Sequence, residues 1–180
     1  GGADSNAARE IFFYDNQNAT IRRLSLSQQA AQANAGSANP SISGNGRYVA
    51  FSSEATNLIL GDVNGFSDIF IVDTVTGTIS LQSISTAGVQ ANGSSFKPSV
   101  SHTGRFLVFE SSATNLVGTT TVGVTHIYLR NRDVNNSGTF DTPGNTSTTL
   151  ISQSTGSVAG NGNSIQAAIS GDGSFVTFAS

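Results

Sequence analysis

Three segments of the chain repeat one another in register, and this constrains the fold more than any other feature. SISGNGRYVAFSS (41–53), SVSHTGRFLVFESS (99–112) and AISGDGSFVTFAS (168–180) share one pattern: small residue, aliphatic, Ser, turn residues with Gly, then an alternating run. Ile42, Val100 and Ile169 are equivalent, 58 and 69 residues apart. REIFFYD (9–15), SDIFIVD (67–73) and THIYLRN (125–131) form a second set, with Ile11, Ile69 and Ile127 spaced 58 and 58. A third marker, Asn34, Asn92 and Asn161, is spaced 58 and 69. The 11 extra residues of the last interval therefore lie between Ile127 and Asn161, at DVNNSGTFDTPGN (133–145). A repeat of this length describes a supersecondary unit that buries its faces only by stacking on its neighbours.

Each unit reads as strand and turn throughout. PSIS and its counterparts predict a short buried strand. RYVAFSS and RFLVFESS alternate with period two, as half-buried strands do. Asn45 and Gly46, Thr103 and Gly104, and Asp172 and Gly173 predict two-residue hairpin turns between them. IFIVD predicts a third strand, DTVTG (73–77) a second hairpin, and TISLQSIS a fourth strand. No helix signal occurs. The expected fold is all-β, a β-propeller built from four-stranded antiparallel blades, about three of them in this chain. The units run 9–38 (a half blade, strands three and four), 39–96 (a blade), 97–165 (a blade carrying the 133–145 insertion) and 166–180 (a half blade, strands one and two). Three blades do not close a ring. The expectation is a piece of a longer polypeptide, or a homodimer that completes one ring, or a subunit of a larger complex.

Composition removes several function classes. Net charge is −3 and Lys97 is the lone lysine, a poor basis for nucleic-acid binding. No apolar run approaches the ~18 residues of a membrane span. Cysteine is absent, which excludes disulfides, thiol nucleophiles and thiolate metal sites. Charged residues are only 11%, while Ser, Thr, Asn and Gly abound. That balance points to an extracytoplasmic setting: periplasmic, secreted or cell-surface.

The pattern PSIS-x-x-GRYVAFSS-x-ATNL, then GD-x-NG-x-SDIF-x-x-D, then QANG-x-S resembles the WD40-like β-propeller repeat (PD40) of TolB-type propellers. The likeness covers nearly the whole chain, and the second unit matches best. The third departs, because VGTTTVGVTHIY (117–128) lacks both aspartates of GDVNGFSD (61–68). The resemblance implies a six-bladed ring and a bacterial cell-envelope protein that contacts other proteins.

Two clusters invite a cation. In Asp133-Val-Asn135-Asn-Ser137-Gly-Thr139-Phe-Asp141, alternating oxygens on a tight turn follow the first positions of a calcium loop. Asp133, Asn135 and Ser137 would turn inward, Thr139 would offer its carbonyl, and Asp141 would bind directly or through water. Gly144 stands where a bidentate Glu is expected. The same residues also make a hydrogen-bonded Asx-rich turn, so Ca2+ and a plain turn both stand as readings. The second cluster is Asp62, Asn64 and Asp68, where a turn and a strand cap compete with a cation site. Asp15 and Asp73 precede the outer hairpins as turn residues. Arg47 and Arg105, at one repeat position, predict ion pairs or hydrogen bonds between blades.

Catalytic constellations are sparse. His102 sits in a hairpin turn, and His126 replaces Asp68 and Glu10 at one repeat position. There is no nucleophile elbow, zinc spacing or phosphate loop. The expected function is a noncatalytic binding or scaffold module for a protein partner or a glycan. The competing expectation is the propeller portion of a secreted hydrolase or polysaccharide lyase, with its catalytic residues elsewhere.

Overall fold

A computed structural model of the chain describes residues 6–118, 120 and 122–180. These residues form twelve strands in four antiparallel sheets and no helix. β1 (Phe12–Asp15) pairs with β2 (Thr20–Arg23). β3 (Ser37–Ile42), β4 (Tyr48–Ser53), β5 (Asp68–Asp73) and β6 (Ile79–Leu81) form a sheet in that order. β7 (Ser95–Val100), β8 (Phe106–Ser111), β9 (His126–Asn131) and β10 (Ser147–Leu150) form the next. β11 (Ile165–Ile169) pairs with β12 (Val176–Ala179). Two complete blades are thus flanked by a half blade on each side.

The period-two pattern of the second strands has a different meaning from the half-buried one read in the sequence. All six residues of β4 and all six of β5 are buried. Alternation sorts side chains between two cores rather than between core and water. Val49, Phe51, Phe70 and Val72 pack toward the first half blade, with Ile11 and Leu24. Tyr48, Ala50, Ile69 and Ile71 pack toward the next blade, with Leu107, Phe109 and Tyr128. A sheet covered on both faces needs apolar residues at every position. Each fully buried Phe or Ile contributes roughly 1.5–3 kcal/mol, and the blades hold together by this sum.

The inner strands depart from the reading in another way. They are not uniformly buried: Ile42 is exposed, and β11 is mostly exposed or half-buried. They also begin earlier than expected, at Ser37, Ser95 and Ile165, the first two ahead of Pro40 and Pro98, so blade boundaries at 39, 97 and 166 fall inside them. The cause is a repeated bulge. Register shifts between Ala38 and Ser41, Phe96 and Ser99, and Ile165 and Ala168. At each bulge one non-glycine residue takes positive φ: Asn39 at 53°, Lys97 at 46°, Gln166 at 60°. Pro40 and Pro98 are accommodated because the bulge removes them from the ladder.

The turns between first and second strands are wider than two residues. Ser43 N–H donates to the Tyr48 carbonyl, and Gly46 N–H to the Ser43 carbonyl. The Ser43 hydroxyl oxygen accepts from Tyr48 N–H at 2.9 Å, and Asn45 Oδ1 accepts from Arg47 N–H at 3.1 Å. These side-chain bonds replace the paired positive-φ geometry that a two-residue turn requires, and Asn45 does not adopt positive φ.

The same turns join neighbouring blades. Asn45 N–H donates to the His102 carbonyl at 3.1 Å, and His102 N–H to the Gly171 carbonyl at 2.7 Å. A Cβ on Gly104 would lie 2.3 Å from the ring of Tyr48, and one on Gly173 would lie 2.4 Å from that of Phe106. Each turn therefore seats its glycine on the aromatic residue that opens the previous blade's second strand. Gly104 also has φ +79°, so Ala there meets both a clash and backbone strain. Gly104→Ala should cost at least about 2 kcal/mol in a urea unfolding experiment. Gly162→Ala, with nothing within 4 Å of its added carbon, should change stability by less than about 0.5 kcal/mol.

Candidate functional site

The 133–145 insertion leaves β9, and the structure divides its predicted cation ligands into two groups. Asp133 is buried and ties the loop together. Its carboxylate accepts from Ser137 N–H at 3.0 Å, the Ser137 hydroxyl at 3.0 Å, Gly138 N–H at 2.7 Å and the Asn145 amide at 2.8 Å. Asn135 Oδ1 accepts from Ser137 N–H at 3.2 Å. The Thr139 carbonyl receives the Ser137 hydroxyl at 3.4 Å.

Asp141 turns away from this loop. It accepts from Arg132 Nε at 3.1 and 3.2 Å and from Arg132 Nη2 at 2.6 Å, and from the Ser80 hydroxyl of the preceding blade at 2.9 Å. The Gln82 amide adds a contact at 3.2 Å. Asp133, Asn135, Ser137, Thr139 and Asp141 are therefore not gathered as one ligand set. Hydrogen donors already occupy the Asp133 oxygens, and these residues as arranged do not fit calcium.

What the insertion does is clasp two blades. Arg132 lies 4.9 Å from the ring centres of both Tyr48 and Phe140, and those rings are 5.3 Å apart. Tyr48 belongs to the preceding blade, so a guanidinium set against both rings of an aromatic pair and the Asp141 bonds fasten β9 and its loop to β4 and β6. The seam leaves a cleft of about 350 Å³, lined by Arg47, Tyr48, Asp73, Ser80, Arg132 and Asp141 among others. Arg132 and Phe140 escaped sequence reasoning because Tyr48, the ring they share, comes from the preceding blade. Their one signal was position: Phe140 lies in an insertion absent from the other repeats, and Arg132 immediately precedes it.

Arg47 was expected to reach between blades. Instead it pairs with Asp73 of its own blade, through Nε and Nη2 at 2.7–3.1 Å. β4 and β5 are antiparallel, and Tyr48 is opposite Asp73, so the start of one strand meets the end of the other. Arg105 repeats the geometry toward Asn131 and reaches Asn136 at 2.6 Å. Asp73 also accepts from Val75 and Thr76 N–H, as Asp15 does from Gln17 and Asn18 N–H.

Glu10, Asp68 and His126 occupy one repeat position, and each meets a serine. The Ser25 hydroxyl donates to Glu10 and the Ser83 hydroxyl to Asp68. Ser152 Oγ lies 3.1 Å from His126 Nδ1. Each serine oxygen also accepts from the following isoleucine, Ile11, Ile69 or Ile127, at 3.0 Å. A serine oxygen has two acceptor lone pairs and one hydrogen, so Ser152 serves both Ile127 N–H and the His126 ring at once. His126 is fully buried, and the arrangement closes a strand end.

The second predicted cluster does converge. The Asn64 amide donates to Asp68 at 2.7 Å and to the Ala91 carbonyl at 3.0 Å, while its oxygen accepts from Phe66 N–H. Burial pushes the Asp68 carboxyl up to about 6 against the bonds from Ser83 and Asn64, and Asp62 nearby adds to the rise. Burial also raises Asp62, against a bond from Asn64 N–H.

No protein-family model matches the chain, and no curated protein does. Solved structures do. The chain is similar to TolB from Acinetobacter baumannii, at 17% identity and a TM-score of 0.49, covering 94% of this chain and 31% of that one. It is similar to the tricorn protease at 15% identity and a TM-score of 0.51, covering 89% of this chain and 16% of that one. The fold is a partial β-propeller. The chain spans less than a third of either propeller protein. No helix among the described residues is long and apolar enough to cross a membrane.

Burial alone would raise the Asp133 carboxyl, but the bonds from Gly138, Ser137 and Asn145 outweigh it and hold it at about 2. A depressed carboxylate contributes stability above its unfolded value of about 3.9, and that contribution is lost as pH falls toward the folded value. Asp133→Ala should therefore melt below the wild type above about pH 5, and the gap should narrow toward about pH 2. The gap should be the same in calcium and in chelator, because hydrogen bonds rather than a metal hold the loop.

Proposed function

We propose that this chain is part of a noncatalytic, extracytoplasmic binding and scaffold propeller that assembles through its open blade edges. The observation that carries the reading is the match between β12 and β1. Among the described residues β12 pairs only with β11, and β1 only with β2. In the complete blade, Tyr48 to Ser53 stand opposite Asp73 to Asp68. Transferred through the repeat, this register sets Phe175 against Asp15, Val176 against Tyr14 and Phe178 against Phe12.

Those side chains are the ones left open. Phe12 is 55% exposed, Tyr14 59% and Phe175 72%, whereas Phe70, Val72 and Tyr48 at the matching places are 0%, 3% and 8% exposed. Unpaired apolar strand edges are templates for another strand. Neighbouring blades of a longer polypeptide supply that strand in one arrangement, and a second copy of this chain supplies it in the other; two copies contribute six blade equivalents, the homodimer that stands among the three expectations from the repeats. The rims of such a ring carry uncharged polar loops suited to a protein or glycan partner. The extracytoplasmic setting is supported by the low charge and by the TolB-type resemblance.

Light scattering decides the assembly. The expected mass is twice the 18.4 kDa of the chain, and Phe178→Asp should leave a folded monomer. A wild-type monomer at micromolar concentration, with the two edges still open, would overturn the reading.

A further inference from the structure

Four ion pairs join the described residues: Arg23 with Glu10, Arg47 with Asp73, Lys97 with Glu110, and Arg132 with Asp141. None of them includes Asp62 or Asp68. Both side chains lie inside the protein, Asp68 at 0% exposure and Asp62 at 7%. At the same repeat position, Glu10 has Arg23 3.8 Å away, and His126 replaces the acid altogether. Among the described residues, the second blade sets two neighbouring acids inside the protein with no cationic side chain. Buried charges are ordinarily paired or bound to metal, because isolation from water is costly.

One oxygen marks where the missing partner belongs. Asp62 Oδ1 is buried and has no hydrogen-bond partner. Asp68 has one partner on each oxygen, Ser83 on Oδ1 and Asn64 on Oδ2, and each oxygen keeps a further lone pair. This is the reverse of Asp133, whose oxygens already receive four hydrogen donors. We propose that Asp62 and Asp68 hold a hard divalent cation of the calcium class, with Asp62 Oδ1 as the primary ligand. Two carboxylates balance its charge, and carbonyls of the turn and water complete the six to eight oxygens that calcium takes. Asn64 is a positioning residue, since its amide nitrogen faces Asp68 and its oxygen is bonded to Phe66 N–H.

The test is a thermal melt of the chain in chelator, in calcium chloride, and in potassium chloride of equal ionic strength. Free calcium at ten times its Kd should raise the wild-type Tm by about 3–5 °C, and potassium should not. Asp62→Asn should abolish the rise, while Asp133→Ala should keep it. Asp68→Asn, which retains an oxygen for the Ser83 hydroxyl, should also abolish the rise and covers the case in which Asp62→Asn fails to fold. A wild-type Tm indifferent to millimolar calcium, or a rise that survives in either Asn variant, would overturn the site. The light-scattering mass is a separate readout, so failure here leaves the assembly reading standing.

Discussion

Each complete blade leaves its second strand through Ala-Thr-Asn-Leu, and that loop is tied to the crossover arriving from the blade before. Asn34 N–H donates to Asn57 Oδ1 at 2.9 Å, and its amide donates to the Thr56 hydroxyl at 2.9 Å. Thr56 N–H returns a bond to Asn34 Oδ1, and the Asn57 amide reaches the Gln32 carbonyl at 2.8 Å. Asn92, Thr114, Asn115 and Gln90 reproduce every one of these bonds at 2.7–3.0 Å. Four bonds among side chains with no net charge set how one blade follows the next. Leu58 and Leu116, one residue beyond, are inserted into the core at 0% and 2% exposure. The apolar contacts between blades depend on this lock, because sheets stacked face to face slide unless something directional fixes them.

The same logic explains how a chain with so little charge holds its shape. Strand ends are closed by serine hydroxyls that accept from an isoleucine N–H, donate to Glu10 or Asp68, and bond the His126 ring. Inner turns are closed by Ser43 and Ser101, which accept from Tyr48 and Phe106 N–H. Ser37 meets Ser53, and Ser95 meets Ser111, across the first strand pair of each blade at 2.9 and 3.0 Å. Short hydroxyl side chains reach the backbone without the entropy loss of ordering a long charged one. The abundance of Ser, Thr and Asn is therefore structural before it is a property of the surface. The two acids without a cationic side chain, Asp62 and Asp68, are conspicuous against this background.

Much of the fold was legible in the sequence because a repeated blade writes its local chemistry more than once. The strand order, the turn positions and the place of the insertion all follow from three markers in one register. Asp62, Asn64 and Asp68 were legible as a cluster for the same reason: a short turn brings them together whatever surrounds it. Asp141 was not. Its neighbours on the chain suggested a calcium loop, but it pairs with Arg132 and with Ser80 and Gln82, which lie about sixty positions earlier in another blade. Arg47 erred in the opposite direction, because antiparallel pairing carried Asp73 of its own blade to it before any neighbour could.

Sequence alone determined the all-strand character, the repeat, the absence of thiol chemistry and the residues that close each turn, since these depend on local geometry and on composition. Tertiary structure decided the rest: that the alternating strands are buried on both faces, that the insertion fastens two blades, and that one aspartate oxygen lies buried without a partner. Those outcomes depend on which face of one sheet meets which face of the next. That pairing is set by contacts between residues far apart in the chain, where no local pattern records them.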